Sequence, residues 1–369
     1  MNIRQFLLVI MVAFLADSCS SGKTAYKKGD YYDAVMAATN RLRQKPDHKK
    51  SIEVLKLSYQ AAVDYLVTDA QNQMASNANF KYRTAVQNYE KINTLYEEIR
   101  TSPGALKVIP KPISKYNELT EVKAKAAEET YEAGLQAMLK NTREDAKQAY
   151  YLFNESNTYE PGYREAIEMI EQAKFNATLK VVVEPSLQNY RDWNFEPVLF
   201  GYTSNLFVKF YTPRQAEEEN LSKIDHFVKV YINGFDEGRP VVTQKTETFK
   251  DSVKVGEVTV NGKKIPKYQN VSATMTTYTK RVSGKGSINL TITDAASRGE
   301  LMNSDLVSDE TWSDSWASYK GDARALSDSA RKLCQKKEPY PERNYLINRV
   351  KRELDSRLAN TLNNFYNKY

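Results

Sequence analysis

The hydrophobic pattern of this chain changes its period near Phe175, and this change limits the fold more than any other feature. Upstream, apolar residues recur every three or four positions, as in the series Leu55, Tyr59, Ala62, Leu66 and Ala70. That spacing places an apolar stripe on one side of a helix. Downstream, apolar and polar residues alternate, which is typical of half-buried β-strands. The sequence therefore predicts an α+β multidomain chain, helical first and β-stranded afterwards.

The helical part contains degenerate repeats. The segment 25–46, "AYKKGDYYDAVMAATNRLRQKP", has a turn at Gly29, a small residue at Ala34 and a closing Pro46. The small residues Ala34, Ala85 and Ala149 lie 51 and 64 residues apart, which indicates elongated and interrupted repeats. Three prolines in 103–112 predict a non-helical insertion. We expect a tetratricopeptide-like array of α-helical hairpins over residues 19–174.

The β-stranded part extends over residues 175–300. Alternating segments at 178–183, 206–211, 227–232, 253–260, 271–282 and 287–293 are separated by turn residues. Asn261-Gly262 is a strong hairpin signal between two of them. These features predict an antiparallel β-sandwich.

Residues 301–369 form a basic segment that ends in an amphipathic helix. Its stripe is Ile347, Val350, Leu354, Leu358 and Phe365, and we expect it to dock within the chain, because a detached apolar helix would aggregate. Residues 319–369 hold twelve Lys or Arg and six acids, a net charge of +6. A basic end on an exported protein favours anionic lipid headgroups, acidic glycans or an acidic partner. A solvated helix face explains it equally well.

The N-terminus resembles a bacterial lipoprotein signal. Residues 6–16 form an apolar run too short to span a bilayer, and Ala16 and Ser18 precede Cys19. Residues 1–18 are therefore predicted to be removed, and Cys19 to carry the lipid. The alternative is an ordinary secretory signal with an incidental cysteine.

The sequence predicts no enzyme, cofactor or metal site. It has two histidines far apart in the chain, His48 and His226, and it contains none of the zinc, nucleophile-elbow or phosphate-loop motifs. Carboxylates near strand ends, such as Asp236 and Glu237, are more typical of solvated turns.

An aromatic and basic segment supplies the candidate binding residues, which are Trp312, Trp316, Tyr319, Lys320 and Arg324. In a helix the three rings would share one face and could stack on sugar rings, including those of peptidoglycan. In an extended chain Trp312 and Trp316 would share a face and Tyr319 would leave it. The alternative is that the rings cover an open end of the sandwich.

The signal, Cys19 and the repeat-like residues together resemble tetratricopeptide-containing lipoproteins of the Gram-negative envelope, of the Bacteroidetes type. The resemblance implies a non-enzymatic, lipid-anchored scaffold or adaptor in the outer membrane. It would bind another envelope protein through its helical repeats, and it would bind no nucleic acid. Residues 20–23 carry no acidic run, which favours the periplasmic side. A peptidoglycan- or glycan-binding lipoprotein is the alternative.

Overall fold

The computed structural model describes residues 22–185, 193–260 and 262–369. Cys19 and the signal sequence lie outside these residues. The chain divides into two compact units, the first ending at Ala177 and the second beginning at Thr178.

The first unit is helical, and each long helix packs mainly on the next one in the chain. Its helices are α1 (Lys23–Lys27), α2 (Tyr31–Gln44), α3 (Lys49–Ala75), α4 (Lys81–Arg100), α5 (Pro103–Val108), α6 (Tyr116–Met138), α7 (Arg143–Tyr159) and α8 (Ala166–Ala177). Side chains cap several of them: Asp30 accepts from the backbone N–H of Asp33, and Thr142 accepts from that of Asp145.

The prediction that prolines exclude a helix from 103–112 is wrong for its first six residues. Pro103 occupies the first turn of α5, where its missing N–H costs nothing, and the Ser102 hydroxyl accepts from the N–H of Ala105. The chain then leaves the helix before Pro110 and Pro112.

The second unit is built on one mixed sheet. Its elements are β1 (Leu179–Val183), α9 (Glu196–Phe200), β2 (Val208–Tyr211), α10 (Pro213–Glu218), β3 (His226–Glu237), β4 (Val241–Val260), β5 (Lys263–Asp294), β6 (Glu300–Gly321), a 3-10 turn at Ala323–Ala325, α11 (Asp328–Gln335) and α12 (Tyr345–Tyr366). The strand order is β2-β1-β3-β5-β4, and β6 also pairs with β5. β1 lies parallel to β2 and β3, and the other pairs are antiparallel.

The predicted fold class, a tetratricopeptide-like α-helical hairpin array followed by an antiparallel β-sandwich, is therefore wrong. The chain is α/β, with a mixed six-stranded sheet flanked by helices. The helices of the first unit range from 5 to 27 residues rather than forming equal pairs. In the second unit β1 is parallel to both of its neighbours, which excludes a purely antiparallel sandwich.

β5 organises the sheet because it is 32 residues long. On one edge it pairs with β3 and then with β4, whereas on the other edge it pairs with β6 only from Ala273 to Thr293. Residues 250–260 of β4 and 263–272 of β5 therefore continue past the end of β6 as a two-stranded projection, called the ribbon below.

The main core of the second unit lies between the sheet and α12. Ile347, Val350, Leu354 and Leu358 pack with strand residues such as Leu290, and all five are less than 9% exposed. Burial of each large aliphatic side chain contributes roughly 1.5–3 kcal/mol. The prediction that this stripe docks within the chain is confirmed, although it docks onto one sheet and not onto a sandwich.

Candidate protein-interaction site

The aromatic and basic segment is a strand. β6 is extended through Trp312, Trp316 and Tyr319, whose partners on β5 are Val282, Tyr278 and Met275. Alternation along a strand places Trp312 and Trp316 on one face and Tyr319 on the other. The single row of three rings expected for a helix does not form.

The candidate binding residues make separate contacts with different parts of the structure. The Trp316 ring stacks on Tyr278, with 5.3 Å between centroids and 19° between planes. Tyr319 and Lys320 are exposed, and the Arg324 guanidinium lies 2.6 Å from the Asp322 carboxylate. The structure thus brings Trp316 to Tyr278 but does not gather the five candidates into one site. Glycan binding stays a prediction.

A buried lysine beside Trp316 was not identified from the sequence. Lys280 is 2% exposed, its ammonium lies 3.4 Å from the Tyr340 ring centroid and 5.6 Å from that of Trp316, and it pairs with Glu338. Burial by itself would lower the pKa of Lys280, but hydrogen bonding with Glu338 and Tyr340 outweighs it and raises the pKa. The same ammonium holds the pKa of Glu338 below its usual value.

These contacts hold the segment 336–344, called the strap, against β5. It begins after α11, which packs on the odd-numbered face of β5 with Ala273 and Met275. It ends at α12, which packs on the even-numbered face with Ile288 and Leu290. The strap therefore passes from one sheet face to the other, held by Lys280 and by the Lys336 ammonium, 2.5 Å from Asp314. No sequence pattern could show this, because the partners are up to 60 residues apart.

Cys334 packs in the α11 cluster, and burial raises the pKa of its thiol. A raised pKa leaves less thiolate at neutral pH and disfavours nucleophilic chemistry. In the part of the chain that the structure describes, no group of three or more His, Cys, Asp or Glu residues could hold a metal ion.

The ribbon is the exposed candidate site. Val271, where the ribbon joins the rest of the sheet, is buried, but the apolar residues toward its end are exposed: Val258 is 49% exposed, Val260 50%, Ile265 47% and Tyr268 58%. Among the described residues β4 pairs only with β5, so the outer edge of β4 leaves backbone N–H and C=O groups open. A long open edge with exposed β-branched residues is a surface that another chain can cover, here with a β-bulge between Lys254 and Gly256.

The ribbon is also basic. Residues 253–268 contain four lysines, Lys254, Lys263, Lys264 and Lys267, and one acid, Glu257, which gives a net charge of +3. Lys254 is paired with Glu257 at 2.6 Å. The remaining lysines surround the apolar residues, so the end of the ribbon combines positive charge with aliphatic surface.

No family model matches this chain, and no curated protein matches it either. None of the helices in the described ranges is long and apolar enough to cross a membrane.

Proposed function

We propose that the protein is a non-enzymatic, lipid-anchored scaffold of the bacterial envelope that contacts another protein molecule of the envelope through the ribbon. Cys19 carries the lipid, and the protein faces the periplasm from the outer membrane. The contact element is the ribbon rather than a helical repeat surface.

The ribbon supports this proposal because it extends past the end of β6 and exposes apolar side chains, which a partner protein would cover. An isolated two-stranded hairpin is marginally stable in water, so a partner protein that packs against the ribbon would stabilise the ribbon. Its lysines raise the rate and selectivity of contact with an acidic surface.

Site-specific photocrosslinking in cells tests the proposal. A photoreactive residue replaces Val258 in the ribbon or, as the control, Val307 of β6, a valine that is 38% exposed outside the ribbon. We expect a discrete crosslinked protein product from position 258 and none from position 307. No product from position 258, or the same products from both positions, would overturn the proposal.

A further inference from the structure

A groove lies beside the carboxyl end of β1, on the sheet face opposite α12. Its volume is about 680 Å³, and Val182, Ala216, Leu221, Ile224 and Phe227 provide apolar surface. Val182 and Phe227 are register partners on β1 and β3, and their neighbours Val181 and Val228 point into the α12 core. The groove is therefore formed by the second face of the parallel strands together with α10 and the residues after it.

Two carboxylates line the groove, and the Arg298 guanidinium borders it, 4.7 Å from the Phe227 ring centroid. Among the described residues that line it, the two with a charge are Glu184 and Glu217. Glu217 is exposed on α10, and the Glu184 carboxylate lies 3.7 Å from the Lys229 ammonium with 41% of its side chain exposed. An occupant that pairs with these two carboxylates would combine aliphatic side chains with positive charge.

One face of the ribbon has this combination. Val258 pairs with Ile265, Val260 with Lys263, and Gly256 with Lys267. Residues directly opposite each other, or two apart on one strand, share a face. Val258, Val260 and Ile265 therefore lie on the same face as the ammonium groups of Lys263 and Lys267, which match the two glutamates of the groove.

The ribbon cannot reach the groove of its own chain. Phe227 in the groove pairs with Thr293, near the end of β5, whereas Lys263 begins that strand. Thirty residues of extended chain separate these positions, about 100 Å along the strand at roughly 3.3 Å per residue. The complementary surfaces lie at opposite ends of one strand, so their contact joins two molecules.

We propose that the ribbon of one molecule docks in the β1–α10 groove of a second copy of this chain. This inference rests on the proposed function and names the partner of the ribbon. Each molecule has both surfaces, and they differ, so the contact is head-to-tail and builds an open row of subunits rather than a closed two-fold dimer. Such a row suits a scaffold whose subunits are held at a membrane surface.

Charge reversal tests the contact. Full-length protein purified in detergent is examined by sedimentation velocity over a concentration series. We expect the wild type to associate, and both K263E/K267E and E184K/E217K to raise the concentration of half-association at least tenfold. An equimolar mixture of the two variants should associate again, because each has a surface that fits the other. The variant K50E/K56E changes the net charge by the same amount as K263E/K267E at exposed lysines of α3, outside the ribbon and the groove, and should behave as the wild type.

The mixture is the decisive sample, because misfolded variants would not recover association on mixing. A wild type that stays monomeric at all concentrations overturns the inference, as does a mixture that stays dissociated. The crosslinking experiment separates this failure from that of the proposed function. A product of twice the chain mass from position 258, linked to the peptide that contains Glu217, supports both proposals. A product with a different protein only would overturn the second-copy contact and leave the scaffold function standing.

Discussion

Gly286 sets how closely α12 approaches the sheet. A Cβ atom added at Gly286 would lie 2.6 Å from Val350 Cγ1 and 2.8 Å from Trp193 Cη2, closer than carbon atoms pack. Val350 is fully buried, so neither neighbour can move into solvent. Gly286→Ala should therefore force the helix or the strand to shift.

The expected cost follows from two opposing effects. Overpacking a well-packed core by one methyl group costs about 1–3 kcal/mol. Alanine also restricts the unfolded chain relative to glycine, which returns about 0.4–1 kcal/mol. The free energy of unfolding should fall by about 0.6–2 kcal/mol. With a urea m-value of about 2 kcal/mol/M, the midpoint should fall by about 0.3–1 M.

Tryptophan fluorescence during urea unfolding measures this change in the second unit alone, because Trp193, Trp312 and Trp316 all lie there. The control is Gly256→Ala, since a Cβ at Gly256 meets no atom within 4 Å. It should leave the midpoint unchanged or raise it slightly.

Val350→Ala supplies a second test, because it removes the Cγ1 atom that obstructs the new methyl group. By itself it should destabilise the unit through the cavity that it leaves. Combined with Gly286→Ala it should cost less than the sum of the two single changes, with a coupling of about 0.5–3 kcal/mol. Equal midpoints for the alanine variants of Gly286 and Gly256, or additive effects with Val350→Ala, would refute the reasoning.

Three other predictions concern separate parts of the chain. Ala149→Trp should overpack a fully buried position and destabilise the helical unit by about 1–3 kcal/mol in thermal unfolding followed by circular dichroism, whereas the exposed Gln148→Trp should change little. Cys19→Ala should abolish metabolic lipid labelling and leave the precursor uncleaved, and a variant that labels like the wild type would exclude the lipid anchor. Glu338→Gln should lower the urea midpoint at neutral pH, because the lowered pKa of Glu338 means that its ionised form stabilises the fold through Lys280. That stabilisation is lost as the pH falls through the lowered pKa, so the difference from the wild type should vanish in acid, and a difference that persists there would contradict the ion-pair explanation.

Local periodicity determined where most elements of this protein form. The alternation at 178–183 corresponds to β1, Leu179–Val183, and the stripe from Ile347 to Phe365 corresponds to α12 and its docking. Neighbouring residues impose these patterns through side-chain direction and backbone hydrogen bonding, so a short window of sequence contains them.

Tertiary structure alone decided how the strands combine. The side-chain pattern of a strand depends on which of its faces are buried and does not fix the direction of its neighbours, so residues 178–183 did not reveal that β1 lies parallel to β2 and β3. Residues 301–321 were predicted to lie outside the β-stranded part, yet β6 forms there because β5 offers it a long edge.

The candidate contact surfaces depend on the same long-range pairing. The lysines and valines around Asn261-Gly262 were visible in the sequence, but their exposure depends on where β6 stops at Gly321. Lys280 is buried because Trp316 and Tyr340 reach it from other segments. The free energy of strand pairing comes from contacts between residues that are far apart in the chain. Only the folded sheet therefore shows which side chains stay exposed and can contact a partner.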